Sequence, residues 1–252
     1  MKVVPKGPTD VVVAGMSQAG STLCFNLVRE MYTFIPVSVT IWEPPNAHTV
    51  QEFANQGAPV VLLSKQHDLP SGAALSSTNP DVQSFKKSNN IGVLRVRRDL
   101  RDAVASRMRK ERCDRNFEII KEYCDLNISW HKVWEHIVDY DWVYEKYKET
   151  PLVVMRELRT ALNMPHTDEQ LIEVVHRSEN LKHFYGDKER YFLSGAPAVQ
   201  GVADFELVTK MREEQVTNNG VVGAYKDFFS EDELAFINAT YGDWLRKYGY
   251  AK

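Results

Sequence analysis

Apolar positions in this chain fall into two rhythms. Short, nearly continuous blocks of aliphatic and β-branched residues occur at 11–13 (VVV), 37–42 (VSVTIW), 58–64 (APVVLLS), 91–96 (IGVLRV) and 152–155 (LVVM). Runs of that length, bounded by Gly, Pro or charged residues, read as strands buried on both faces. Elsewhere apolar residues recur at helical intervals. They predict helices over 21–28, 49–55, 100–110, 156–162 and 168–181, and two more within the aromatic block 117–148. Ser230 followed by Glu233 is a capping box that opens a last amphipathic helix, running to roughly Tyr248. Strands alternating with helices predict an α/β fold, with a central parallel β-sheet flanked by helices. No internal repeat, low-complexity tract or linker interrupts residues 1–252, which therefore read as a single domain. The weakly periodic stretch 186–229 reads as a lid.

In such sheets ligands gather beyond the carboxyl ends of the strands. Four chemistry-bearing segments follow strand ends here: the loop 15–22, Glu43, Lys65 with Gln66 and His67, and Arg97 with Arg98 and Asp99. They are expected to line one crevice. The first is the most informative. A buried strand, then Gly15-Met16-Ser17-Gln18-Ala19-Gly20, then a helix opening with Ser21 and Thr22 makes an anion cradle, because the free N–H groups of a first helical turn and the helix dipole favour negative charge. The glycine spacing fits the phosphate-loop frame G-x-x-x-x-G-K-[ST], with serine where lysine belongs. That lysine normally reaches the β- and γ-phosphates of a nucleoside triphosphate. No later apolar strand ends in a lone Asp suited to magnesium; 91–99 ends in two arginines and Asp99. The loop thus reads as built for an anion other than Mg-ATP, the plainer reading being a glycine turn between strand and helix.

A second anion signal follows the fourth strand. Arg98 sits at the strand end, Asp99 is placed to cap the next helix, and Ser106 lies two turns along it. An arginine fork and a hydroxyl converging beside a phosphate loop suit a second phosphate. The alternative is an arginine-rich helix start with surface ion pairs, Arg101 with Asp102 or Glu111.

Composition narrows the function classes. A net charge of −3 argues against a broad nucleic-acid surface, though not against a small basic pocket. Cys24, Cys113 and Cys124 have no C-x-x-C spacing. So sparse a set reads as reduced thiols in a cytoplasmic setting rather than a disulfide framework or zinc site. No apolar run approaches the ~20 residues that span a bilayer, and no signal-peptide core opens the chain, so no membrane anchor is expected. His131, His136, His176 and His183 read as structural or exposed. Trp130, Trp134, Tyr140, Trp142, Tyr144 and Tyr147 read first as core packing, with some available to wall a pocket.

Taken together, these segments resemble the cytosolic-type sulfotransferases that use 3′-phosphoadenosine 5′-phosphosulfate (PAPS, leaving the bisphosphate PAP), a family with a P-loop NTPase-like fold. That family's 5′-phosphosulfate loop, P-[KR]-S-G-T-T, is similar to Ser17-Gln18-Ala19-Gly20-Ser21-Thr22. Its 3′-phosphate motif, R-D-P-R-D-x-x-x-S, is matched by Arg98, Asp99, Arg101, Asp102 and Ser106, with Leu100 in place of proline. A K-[TS]-H-x-L-P segment after the third strand resembles Lys65-Gln66-His67-Asp68-Leu69-Pro70. The nucleotide-closing loop R-K-G-x-x-G-x-W-K resembles Asn218-Asn219-Gly220-Val221-Val222-Gly223-Ala224-Tyr225-Lys226. The matches occur in family order. The departures are Gln18 for the loop's basic residue, Leu23 for its tryptophan, and Asn218 with Asn219 for an Arg-Lys pair.

The resemblance implies in-line transfer of a sulfuryl group from PAPS to a hydroxyl or amine of a small-molecule acceptor, without a metal. Ser17, Gln18, Ala19, Gly20, Ser21 and Thr22 would hold the phosphosulfate, and Arg98, Ser106, Asn218, Asn219 and Gly220 the 3′-phosphate end. Lys65 would stabilise transferring charge, covering for Gln18, and His67 would take the acceptor's proton, with Glu43 as rival base. Two other classes stand beside this one: a nucleotide-binding relative that has lost turnover, and a P-loop phosphotransferase dependent on ATP and magnesium. The acceptor and the oligomeric state are not encoded legibly in the chain.

Overall fold

The computed structural model describes residues 10–35, 38–42, 60–65, 90–113, 115–179 and 220–251. The described residues form five strands, β1 (Asp10–Gly15), β2 (Ser38–Trp42), β3 (Val60–Lys65), β4 (Ile91–Arg97) and β5 (Tyr140–Val143). They form one sheet in the order β2-β3-β1-β4-β5, and every pairing is parallel. β1 is central, with Val12 in register with Ser64 of β3 and Val93 of β4. The chain leaves β1 towards the β2 edge and returns on the other side as β4. Such a reversal opens a crevice at the carboxyl ends of β1, β3 and β4.

Helices cover both faces. Side chains alternate along a strand, so Val11 and Val13 pack with Phe25, Leu27 and Met31 of α1 (Ser21–Tyr32) and with Val154 and Leu158 of α5 (Pro151–Ala161). Val12 and Ala14 face the other way, onto Val93, Trp134 and Ile137. On that side Leu100, Val104 and Met108 of α2 (Leu100–Glu111) meet Ile120 and Cys124 of α3 (Phe117–Val133) and Ile237 and Leu245 of α7 (Glu231–Lys247). Each such aliphatic side chain contributes about 1.5–3 kcal/mol when fully buried. The other helices among the described residues are α4 (Tyr144–Glu149) and α6 (Asp168–Glu179), and Ala224–Asp227 forms a 3₁₀ turn. The expected caps are present: the Asp99 side chain accepts from Arg101 N, and Ser230 and Glu233 form the reciprocal capping box. Cys24, Cys113 and Cys124 are free thiols, and burial pushes those of Cys24 and Cys124 up.

Two expectations need correction. Residues 152–155 are not the fifth strand; they lie inside α5. Pro151 sits in its first turn, and Val154, Leu158 and Leu162 fall on one buried stripe at four-residue spacing, which a strand cannot provide. The fifth strand is instead β5, within the block read as two helices. It is pinned before it starts by Asp139, whose carboxylate accepts from Val93 N at 2.7 Å. Arg95 of β4 then grips Asp141 with two bonds of 2.6 and 2.7 Å. The expected helix at 49–55 lies outside the described residues, as does 186–219 of the expected lid.

Candidate active site: two loops joined by Arg98

The β1–α1 loop is shaped by backbone geometry. Gly20, the N-cap of α1, sits at φ 87° with no side-chain cap, and the first turn of α1 carries no acidic residue. Its partners explain the glycine: a Cβ there would come within 2.5 Å of Cδ2 of Tyr144 and 3.0 Å of Cζ3 of Trp142. Gln18 also has positive φ, 57°, while Ala19 is fully buried and Ser17 and Ser21 are nearly so. The result is a helix start whose N–H groups no side chain of the loop has claimed, the arrangement that favours a bound anion. Lys65, the last residue of β3, reaches this helix start by donating from Nζ to Thr22 Oγ1 at 2.8 Å.

Arg98 lies just beyond β4 and is 5% exposed. Its guanidinium donates from Nη1 to Gln18 O at 3.4 Å and from Nη2 to Val221 O at 2.9 Å. It also lies over the Tyr144 ring, 4.6 Å from the centroid, and 3.7 Å from the Asp102 carboxylate. Its Nε is buried without a hydrogen-bond partner among the described residues. One side chain therefore bridges the β1–α1 loop and the segment after residue 220. Gly220 completes the junction. Its carbonyl accepts from Tyr144 Oη at 2.8 Å, and a Cβ on it would collide with that same hydroxyl. Ser106 is half-buried two turns along α2, on the face set by the 98, 102, 106 spacing.

The alternative reading of the 98–106 segment as surface ion pairs does not hold. Arg101 pairs with Asp99 at 2.7 Å and is 8% exposed, Asp102 faces Arg98, and Glu111 pairs with Arg107. Tyr248 and Tyr250 seal this strand end. Arg97 donates to Tyr248 O, Arg101 donates to Tyr250 O at 2.7 Å, and Tyr250 donates from Oη to Glu145. Glu145 also accepts from Asp99 N at 2.8 Å, and burial pushes its carboxyl up.

Of the expected site residues, Ser17, Gln18, Ala19, Gly20, Ser21, Thr22, Lys65, Arg98 and Gly220 are thus drawn to one end of the sheet, joined by these contacts. His67, Glu43, Asn218 and Asn219 lie outside the described residues. Sequence reasoning missed Tyr144, taken there for core or pocket wall, and the part played by Asp102. The available signals were the tyrosine's position at a strand end and the carboxylate's placement four residues after Arg98. Among the described residues no cluster of His, Cys, Asp and Glu is arranged to hold a metal ion, and no helix is long and apolar enough to cross a membrane.

No protein-family model matches the sequence, and no curated protein matches it. Solved structures do. Mouse sulfotransferase SULT7A1 complexed with PAP matches over 94% of this chain and 85% of its own, with a TM-score of 0.62 at 10% identity. The chain has the sulfotransferase fold. Retinol dehydratase in complex with androsterone and the inactive cofactor PAP, and again in complex with retinol and PAP, matches over 96% of this chain and 82% of its own. Its TM-score is 0.58 at 16% identity. At these identities the likeness is one of architecture. Within the sulfotransferase fold, the loop Ser17 to Thr22, Lys65 and Arg98 occupy the carboxyl ends of β1, β3 and β4 respectively.

Proposed function

We propose that the protein is a PAPS-dependent sulfotransferase that moves a sulfuryl group to a hydroxyl or amine of a small-molecule acceptor. The observation that carries this reading is Arg98, buried at the end of β4 and touching both the β1–α1 loop and Val221. A ligand with anionic groups at two ends needs both places in one pocket. Three features fit PAP or PAPS: the uncapped start of α1, the glycine cradle at Gly20 and Gly220, and the unpartnered Nε of Arg98. The contacts to Gln18 O and Val221 O use two of a guanidinium's five N–H donors. The solved neighbours hold PAP, and one was captured with androsterone and with retinol, which supports a small hydroxylated acceptor.

The backbone N–H groups of Gly20, Ser21 and Thr22, with the flanking Ser17, Gln18 and Ala19, hold the 5′-phosphosulfate. Arg98 and Ser106, with Asn218, Asn219 and Gly220, hold the 3′-phosphate end. PAPS supplies the sulfuryl group and leaves as PAP when its sulfur–oxygen bond to the 5′-phosphate breaks and the acceptor's new bond to sulfur forms. Lys65 stabilises charge on the transferring group, covering for Gln18, which can donate a hydrogen bond but brings no charge. His67 takes the acceptor's proton, with Glu43 as the rival base. Positioning and charge stabilisation supply most of the rate in such a transfer.

Calorimetry and thermal shift with PAP, with ATP and magnesium, and with NAD test the reading. PAP at saturation is expected to stabilise the fold by about 3–4 kcal/mol when present at 100 to 1,000 times its Kd. Arg98→Ala is expected to weaken PAP, whereas His67→Ala keeps PAP binding and loses transfer. Stabilisation by ATP with magnesium and none by PAP would instead make the protein a phosphotransferase. Gln18, where the resemblance expects Lys or Arg, favours a second reading, a nucleotide-binding relative without turnover. It predicts PAP binding with no sulfuryl transfer to any acceptor.

A further inference from the structure

Arg98, Asp102 and Ser106 recur at four-residue spacing, so a carboxylate lies midway along the face assigned above to a phosphate. Left to itself, that carboxylate would repel the ligand. It is 2% exposed, and a buried carboxylate persists only where donors satisfy it. Its donors come from the segment after residue 220. Asp102 Oδ2 accepts from Gly223 N at 2.7 Å, and Oδ1 accepts from Tyr225 N at 2.9 Å. Arg98 stands 3.7 Å from the same carboxylate. The other end of the segment is fastened by Tyr144 at Gly220 and by Arg98 at Val221.

We infer that Asp102 is a positioning residue: both oxygens of its carboxylate clamp the 220–225 segment onto α2, beside Arg98 and the expected 3′-phosphate site. The inference rests on the nucleotide reading above and deepens it. Two backbone N–H groups take up the carboxylate's charge, so Arg98 keeps donors for an anion. The clamp fixes the segment by its backbone, while the side chains of Val221 and Val222 stay 57% and 47% exposed. Asp102 acts through the segment it holds, and its loss should be felt at the 3′-phosphate end of the ligand and hardly at the 5′ end.

The test compares wild type, Asp102→Asn and Asp102→Ala in the full chain. Affinities for PAP and for adenosine 5′-monophosphate, which lacks the 3′-phosphate, are measured by calorimetry. Trypsin cleavage after Lys226 is mapped by mass spectrometry without nucleotide. Asp102→Ala is expected to weaken PAP about tenfold or more, the loss of one charged hydrogen-bond anchor, while the monophosphate changes less than about threefold. Cleavage after Lys226 should quicken in parallel, and Asp102→Asn, which keeps one acceptor oxygen, should fall between. A variant that binds PAP as tightly as wild type overturns the inference, whether or not the segment is cut. So does an equal loss for both nucleotides, which a general loosening of the fold would give. Should the alanine variant not fold, the asparagine variant carries the same comparison. If wild type binds no PAP, the nucleotide reading fails and this inference with it. If wild type binds PAP and Asp102 proves indifferent, the inference fails alone.

Discussion

The start of α1 and the start of α2 follow neighbouring parallel strands and point into the same crevice, yet they are built in opposite ways. α1 begins at Gly20 with no side-chain cap and no acid in its first turn. α2 begins at Asp99, whose carboxylate caps Arg101 N and also grips the Arg101 guanidinium at 2.7 and 3.0 Å, with Asp102 following in the first turn. One helix dipole is left open and the other is already answered by carboxylates. The lesson is that two adjacent anion-facing loops need not use the same chemistry. At the first, backbone N–H groups are the available donors. At the second, Asp99 N and Arg101 N are already bonded to Glu145 and Asp99, and side chains, Arg98 with Ser106, are what is offered to a ligand.

The sharpest way to break the contrast is Asp99→Ala. It removes the cap and strands the nearly buried Arg101, and chemical denaturation should show a loss of about 3–5 kcal/mol. Gly20→Ala, the matching insult to α1, forces a Cβ against Tyr144 at positive φ. It should cost about 1–3 kcal/mol and abolish PAP binding, read by the same melts with and without ligand. Acid should also distinguish the two sides. His131 is fully buried behind β4, and burial, with Arg95 beside it, pulls its pKa down to about 3. Arg97, Asp141 and Glu135 also act on it, the carboxylates in the opposite sense. Above about 6.5 the imidazole is neutral in folded and unfolded chains alike. As the pH falls towards 3 only the unfolded chain takes the proton, so this residue removes about 1.4 kcal/mol of stability per pH unit. His131→Phe should flatten that slope in a pH series of denaturation curves. The smallest effect belongs to Lys65→Ala, about 0.5–1 kcal/mol for the bond to Thr22. Its larger consequence should appear as slower transfer rather than weaker folding.

The β1–loop–α1 unit was legible because glycines at fixed spacing after a β-branched run have a local cause. The end of β4 was legible for a related reason: a strand, an arginine and a capping aspartate stand in immediate succession. The capping box at Ser230 required nothing beyond its own four residues. Where the sequence misled, the deciding forces were remote. Leu152 to Met155 has the composition of a strand, and only the continuation through Leu158 and Leu162 declares a helix. Tyr140 to Val143 is too short for a periodicity and becomes a strand because Asp139 and Asp141 find partners on β4. Asp102 was legible only as a member of the arginine-rich motif or as a surface partner of Arg101. Its partners, Gly223 and Tyr225, lie 121 and 123 residues further along the chain.

Those separations bear on how the polypeptide acquires its shape. The bond from Arg98 to Val221 also spans 123 residues, and it can close only after residue 221 has been made and the sheet has formed. Closing loops of that length is entropically slow, so the pocket is expected to be among the last parts to mature. During refolding, near-native helix content should therefore precede ligand-binding competence by a resolvable lag. A nascent chain that stalls before residue 220 would carry its phosphate loop without the segment that completes it.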